Sequence, residues 1–276
     1  MGLATGTAAG ASGSAPEVVI ITGASKGIGA ELAIHLAKPG IALVLAARDV
    51  GLLEQVATAC RARGAVVDVI PTDVTVEADC KRLVGEVMAR HGRIDTLINN
   101  AGATMSARFD EIRDLSMIGR IMQVNFMGSV YCTAFALPHL KASRGRIVGI
   151  GSLTSLTGVP TRTGYAASKH AMRGFFDSLR IELEGSGVTV TMVYPGFIAT
   201  GIRENATGPD GKPVKIDPVA PERAMSVEEC VQRIVVAMRR RSREVVMPRI
   251  GRLTQWAKLI APGLVDRIAR RAIEQR

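Results

Sequence analysis

Short apolar runs punctuate the chain, and a stretch of helical periodicity follows most of them. Glu17-Val18-Val19-Ile20-Ile21-Thr22, Ile41 to Ala46, Val66 to Pro71, Asp95 to Ile98, Gly145 to Ile150, Val188 to Val193 and Glu244 to Met247 read as strands. They are short, Val/Ile-rich and bounded by Gly, Pro, Asn or Asp, as buried strands are. Helices are predicted over Ala30 to Lys38, Val50 to Arg63, a segment with Glu77 and Asp79 in its first turn that ends at Arg90, and Leu115 to Leu140. Two more run from Tyr165 through Leu179 and, behind a Ser226 cap, from Val227 to Arg240.

The first strand breaks into Gly23-Ala24-Ser25-Lys26-Gly27-Ile28-Gly29 before a helix begins. Strand, glycine turn and helix start in that order make a phosphate cradle. Glycines admit a pyrophosphate to the backbone, and the helix N-terminus offers unpaired N–H groups. The second strand ends at Ala47-Arg48-Asp49, where a dinucleotide fold meets the adenosine ribose. An acid there would bind a free 2′-hydroxyl. Here Arg48 and Lys26 could bracket a 2′-phosphate, which favours NADP(H) over NAD(H); otherwise Arg48 is a solvated charge paired with Asp49. After the third strand, Asp73 either meets adenine or caps the next helix. Asn99-Asn100-Ala101-Gly102 closes the fourth strand and suits either close contact with a bound ring or the tying of neighbouring strand ends.

Candidate chemistry centres on Tyr165-Ala166-Ala167-Ser168-Lys169. A spacing of four puts phenol and ammonium on one side of a helix. A fixed cation lowers a phenol's pKa, so Tyr165 becomes a candidate proton donor and acceptor. An ordinary surface Tyr and Lys would read the same way without the glycine site upstream. Ser152, just past the fifth strand, reads alone as a cap, and Asn125 inside an apolar helix needs a partner. Pro195-Gly196-Phe197-Ile198-Ala199-Thr200 opens a loop, and residues 201–225 read as a mobile lid.

Composition narrows the field. The 276 residues suit one large α/β domain or two small ones. Cys60, Cys80, Cys132 and Cys230 lie far apart and read as free buried thiols, and the four histidines form no metal-ligand cluster. No apolar run reaches the ~18 residues of a membrane span. Residues 1–16, rich in Gly, Ala, Ser and Thr, read as a disordered leader.

Together these residues resemble the short-chain dehydrogenase/reductase family over about residues 17–247. The likeness rests on Thr22 to Gly29, Asp73, Asn99 to Gly102, Asn125, Ser152, Tyr165 with Lys169, and Pro195-Gly196. The resemblance implies a single Rossmann-like domain: a doubly wound, seven-stranded parallel sheet with helices on both faces and the site at the strands' carboxyl ends. It implies Tyr165 as general acid/base and Lys169 as the group that lowers its pKa and bonds the nicotinamide ribose. Ser152 then donates to the substrate oxygen, and Asn125 holds a water that relays protons. Cofactor contacts are implied at Gly23, Ser25, Lys26, Gly27, Ile28, Gly29, Arg48, Asp73, Val74, Asn100, Ala101, Gly102, Pro195, Gly196, Ile198 and Thr200. No metal is called for. The expected reaction is NADP(H)-dependent interconversion of a secondary alcohol and a ketone. Epimerisation and a non-catalytic cofactor sensor or scaffold are the rivals. Relatives suggest a homodimer or homotetramer.

Charge singles out residues 248–276. From Arg239 onward, eleven Lys/Arg face three acids, so eight of the ten net positive charges gather there. Ile250, Leu253, Trp256, Ala257, Leu259 and Ile260 precede a break at Pro262-Gly263; Leu264, Val265, Ile268, Ala269 and Ile273 follow. This basic amphipathic pattern reads as two short helices. They pack on their own domain or another subunit, or lie on an anionic membrane with Trp256 at the interface. Nucleic acid is disfavoured, because aromatic interleaving is sparse. Some relatives acting on steroids or lipids make such contacts, so an apolar substrate is expected, and the localisation expected is cytoplasmic, with membrane-peripheral contact open.

Overall fold

The computed structural model describes residues 15–199, 206–214, 224–248 and 251–274. Most of the expected leader, Thr200, and the segments 201–205 and 215–223 of the expected lid lie outside the described residues.

The chain runs β1 (Glu17–Thr22), α1 (Gly27–Leu36), β2 (Ile41–Ala47), α2 (Val50–Arg61), β3 (Val66–Pro71), α3 (Glu77–His91) and β4 (Thr96–Asn99). It continues through α4 (Ser116–Met122), α5 (Gly128–Ser143), β5 (Arg146–Ile150), α6 (Thr163–Glu182) and β6 (Thr189–Pro195). A small pair, β7 (Ala206–Thr207) and β8 (Pro213–Val214), precedes α7 (Val227–Arg239) and β9 (Glu244–Met247). Two helices, α8 (Gly251–Ile260) and α9 (Pro262–Glu274), follow.

Seven strands form one parallel sheet in the order β3-β2-β1-β4-β5-β6-β9. Alternate residues of β1 serve opposite faces. Val18 and Ile20 join a core with Leu83 and Val87 of α3, Leu140 of α5 and Phe176 of α6. Val19 and Ile21 join another with Leu32 of α1, Leu53 of α2 and Ile234 of α7. Apolar cover on both faces is why these strands read as unbroken hydrophobic runs. The order reverses between β1 and β4, and that switch point opens a crevice at the carboxyl edge.

The structure corrects two expectations. The helix predicted over Leu115 to Leu140 is interrupted by a π-helical turn, Gln123–Met127, between α4 and α5. Within the expected lid, β7 and β8 pair as an antiparallel hairpin docked on the β4–α4 loop: Ser106 N donates to Thr207 O (2.8 Å) and Thr207 N to Thr104 O (3.0 Å).

Candidate active site

The site is built where β1, β4, β5 and β6 end. Thr22, closing β1, is its first joint. Its hydroxyl accepts the N–H groups of Asn100 (3.0 Å) and Ala101 (3.1 Å) and donates to Ile98 O (3.3 Å). The Asn100 amide donates to Thr22 O (2.9 Å) and Gly23 O (3.1 Å). Asn100 therefore ties strand ends together, one of the two roles its sequence allows. Gly23 has φ +65°, and a Cβ there would lie 2.8 Å from Ala101 Cα. A Cβ on Gly29 would lie 2.3 Å from Gly23 O. No side chain caps α1 at Lys26, and no acid sits in its first turn. A tightly packed glycine turn, uncapped amides and the helix dipole fit a dinucleotide's pyrophosphate.

The adenosine end is polar. Asp49 accepts Leu52 N (3.0 Å) and caps α2, so it is not the partner expected for Arg48. Arg48 instead reaches within 4.0 Å of Asp73, with its side chain 79% exposed. Asp73 accepts the Thr75 amide (2.9 Å) and hydroxyl (2.8 Å), while α3 starts at Glu77 behind Val76. Its carboxylate thus fixes a turn rather than capping the helix. Val74 is buried in the core against Gly128, and Ile198 in the opposite core.

The structure brings the four candidate catalytic residues together. Asn125, fully buried in the π turn, accepts Ala103 N through Oδ1 (2.7 Å). Its Nδ2 donates to Ala103 O (3.0 Å) and Ser168 Oγ (2.8 Å). It clamps the loop after β4 to α6. A Cβ on Gly102 would lie 3.2 Å from Asn125 Oδ1 and 3.7 Å from Lys169 Nζ. Lys169, 4% exposed, donates to Ile150 O at the end of β5 (2.8 Å). Burial without a countercharge pulls its pKa down to about 8. Ser152 opens a tight turn, its Oγ accepting Thr154 N (3.2 Å), and its hydroxyl lies close enough to Tyr165 to favour the phenolate. Beyond β6, Gly196 lies against Leu153, so Pro195-Gly196 borders the same turn.

The acidity expected of Tyr165 is not what this structure has. Burial raises the phenol's pKa, opposed by the Ser152 hydrogen bond and the Arg162 charge. Lys169 Nζ lies 5.9 Å from the ring centroid and spends its hydrogen bond on Ile150.

Three supporting residues carry no assigned role in the sequence reading. Thr22 is a strand-end hydroxyl within the glycine motif, and Ser168 stands beside Lys169, so both positions were in view. Arg162, one turn before Tyr165, carried no local signal: its partners, Thr104 Oγ1 (3.0 Å) and Met105 O, come from another loop. Among the described residues no group of three or more His, Cys, Asp or Glu could hold a metal ion.

Comparison with known proteins agrees with this arrangement. The short chain dehydrogenase family model matches residues 17–210. The Arabidopsis thaliana protein 11-beta-hydroxysteroid dehydrogenase-like 4A is 41% identical over 250 residues, covering 90% of this chain and 82% of its own. A dehydrogenase/reductase SDR family protein 7-like from Dictyostelium discoideum is 36% identical, covering 91% and 79%. A short-chain dehydrogenase from Sphingobium yanoikuyae, solved with NADPH, is 31% identical with a TM-score of 0.76, covering 90% of this chain and 94% of that one. One from Burkholderia phymatum, solved with NAD, is 25% identical with a TM-score of 0.77, covering 89% and 95%. The chain therefore belongs to the short-chain dehydrogenase/reductase family and is an NAD(P)-dependent oxidoreductase acting on CH–OH groups.

Proposed function

We propose that the protein interconverts a secondary alcohol and a ketone with NADP(H) in preference to NAD(H), and that its substrate is apolar, of steroid or lipid type. The convergence of Tyr165, Ser152, Lys169 and Asn125 beside the glycine cradle carries this reading. A bound nicotinamide supplies the hydride chemistry. The chain's own residues bind, orient and move the proton. Tyr165 gives its phenolic proton to the substrate oxygen in reduction and takes it back in oxidation. Ser152 donates a hydrogen bond where negative charge develops. Lys169 would hold the ribose hydroxyls of a bound cofactor, and Asn125, whose side chain is committed to Ala103 and Ser168, would relay protons through a water.

The NADP(H) preference rests on charge at the end of β2. Asp49 is turned into α2, while Arg48 stands exposed, and Lys26 is exposed at the start of α1. A 2′-phosphate would find cations there. The apolar substrate rests on the C-terminal helices: α8 begins against Leu153, next to Ser152, where a Cβ on Gly251 would lie 2.7 Å from Leu153 Cδ2. Relatives named as 11-beta-hydroxysteroid dehydrogenases point the same way. A homodimer or homotetramer, and contact of residues 248–276 with a membrane surface, belong to the same reading.

A panel of ketones and alcohols assayed with both cofactors tests it. Tyr165→Phe is expected to bind cofactor normally and lose roughly a hundred- to ten-thousand-fold in turnover. Arg48→Ala is expected to raise the KM for NADPH and spare that for NADH. Turnover retained by Tyr165→Phe would end the proposed mechanism, and a lower KM for NADH in the parent protein would reverse the cofactor preference.

A further inference from the structure

Cys80 and Cys132 stand 52 residues apart in the sequence and meet in the core. Cys80 lies in the first turn of α3 and Cys132 on α5. Both are buried in the same apolar cluster. The Cys132 thiol donates to Cys80 Sγ (3.6 Å), and the Cys80 thiol donates to Val74 O (3.6 Å). Sulfurs 3.6 Å apart touch, with no atom between them, and roughly 1.5 Å of approach would give a disulfide's bond length. The two helices meet where they leave the site. α3 follows the Asp73-Val74 turn, and α5 follows the π turn that holds Asn125. The seam has no slack at that end: a Cβ on Gly128 would lie 2.8 Å from Val74 Cγ2.

We propose that Cys80 and Cys132 are a redox pair whose disulfide ties α3 to α5 and weakens the hold of the Asp73-Val74 turn on the cofactor. The oxidant is a peroxide. The Cys80 sulfur attacks one peroxide oxygen: an S–O bond forms, the O–O bond breaks, and the leaving hydroxide takes the thiol proton as water. The Cys132 sulfur then attacks Cys80. The S–S bond forms, the S–O bond breaks, and hydroxide leaves as a second water with the Cys132 proton. Two sulfurs lose two electrons, and the peroxide gains them. The order follows from the hydrogen bond, which Cys132 donates and Cys80 accepts, favouring the thiolate at Cys80. Burial makes the reaction wait on local opening of the α3–α5 seam, which a small peroxide can enter. Closing the bond draws Cys80 away from Val74 O and presses Val74 onto Gly128. A packed interior answers such pressure by displacement, and the piece free to move is the turn. The effect on binding rests on the reading of Asp73-Val74 as cofactor contacts; the bridge itself does not. Linkage makes the effect reciprocal, so bound cofactor resists oxidation.

The test treats the full chain with hydrogen peroxide, removes the peroxide with catalase, and counts thiols after unfolding. The chain's four cysteines should fall to two free thiols, with the Cys80 and Cys132 peptides joined in the peptide map, and dithiothreitol should restore all four. Cys60 and Cys230, in the opposite core, are internal controls and should stay reduced. The Kd for NADPH, read by nicotinamide fluorescence, should rise roughly fivefold or more on oxidation and return on reduction. Saturating NADPH should slow the loss of thiols. Cys80→Ala and Cys132→Ala should each bind NADPH like the reduced parent and ignore peroxide; either variant alone suffices as the control. Four thiols surviving, a bridge that leaves the Kd unchanged, or equal weakening by peroxide in an alanine variant overturns the proposal. Failure of the reduced protein to bind either nicotinamide cofactor would overturn the proposed function and the effect on binding with it, while the thiol count and peptide map would still decide the bridge.

Discussion

Lys169 pays for its place in the site with solvation. Its four-carbon stem runs through the core to Ile150 O, and the hydrogen bond there replaces only part of what water gave the ammonium. With a pKa of about 8 against 10.5 for a free lysine, the folded protein releases this proton before the unfolded chain does. Between those two values the unfolded chain binds more protons, so this group makes stability rise with pH across that window. The full change is roughly 3 kcal/mol. Lys169→Met should therefore flatten the rise in stability between pH 8 and 10.5, measured by urea denaturation across pH, and be the more stable protein at pH 7. A parallel pH dependence in the two proteins would show that the lysine is solvated. Cys60 and Cys230, pushed up to about 11 and 12 by burial, remain thiols over the same range.

At the scale of elements, two local devices shape the site. The first is the β1–α1 turn. Gly29 touches Gly23 O so closely that one methyl group must displace the turn, which costs about 1–3 kcal/mol in a well-packed interior. Gly29→Ala should lower the melting temperature and weaken cofactor binding more than tenfold, as read by nicotinamide fluorescence titration. Tight binding by that variant would mean the pyrophosphate does not use this turn. The second device is the π turn, Gln123–Met127. One extra residue in the turn shifts the helical phase, and Asn125 thereby bonds both the Ala103 backbone and Ser168. Apolar periodicity continues smoothly through Leu115 to Leu140, so the sequence hides the insertion. Only the partners that Asn125 satisfies, on a loop and a helix elsewhere in the chain, explain it.

For the whole molecule, the open question is the C-terminal pair. Val265 is buried, yet Trp256 is 67% and Ile260 84% exposed, and Leu253, Leu259, Leu264 and Ile268 are also exposed. Arg252, Lys258, Arg267, Arg270 and Arg271 lie on the same two helices. No helix among the described residues is long and apolar enough to cross a membrane. Exposed apolar residues interleaved with cations suit an anionic bilayer surface. The full chain should float with vesicles containing phosphatidylserine, less so at high salt, and a chain ending at Met247 should stay behind. Equal partitioning of the two would remove membrane contact from the proposed function.

Much of this protein could be read residue by residue. The seven strands lay where short Val/Ile runs demanded them, because a buried parallel strand has no polar face to disguise it. The glycine turn, Ser152 and the Tyr165–Lys169 spacing were legible because each is local. Sheet order, the π turn, the docking of β7–β8 and the grip of Thr104 and Met105 on Arg162 were not, because each joins residues far apart in the chain. The acidity of Tyr165 belongs with them. Sequence shows that a lysine neighbours the phenol along the helix; only the packed interior decides how much water surrounds each group, and burial raises the phenol's pKa while lowering the lysine's.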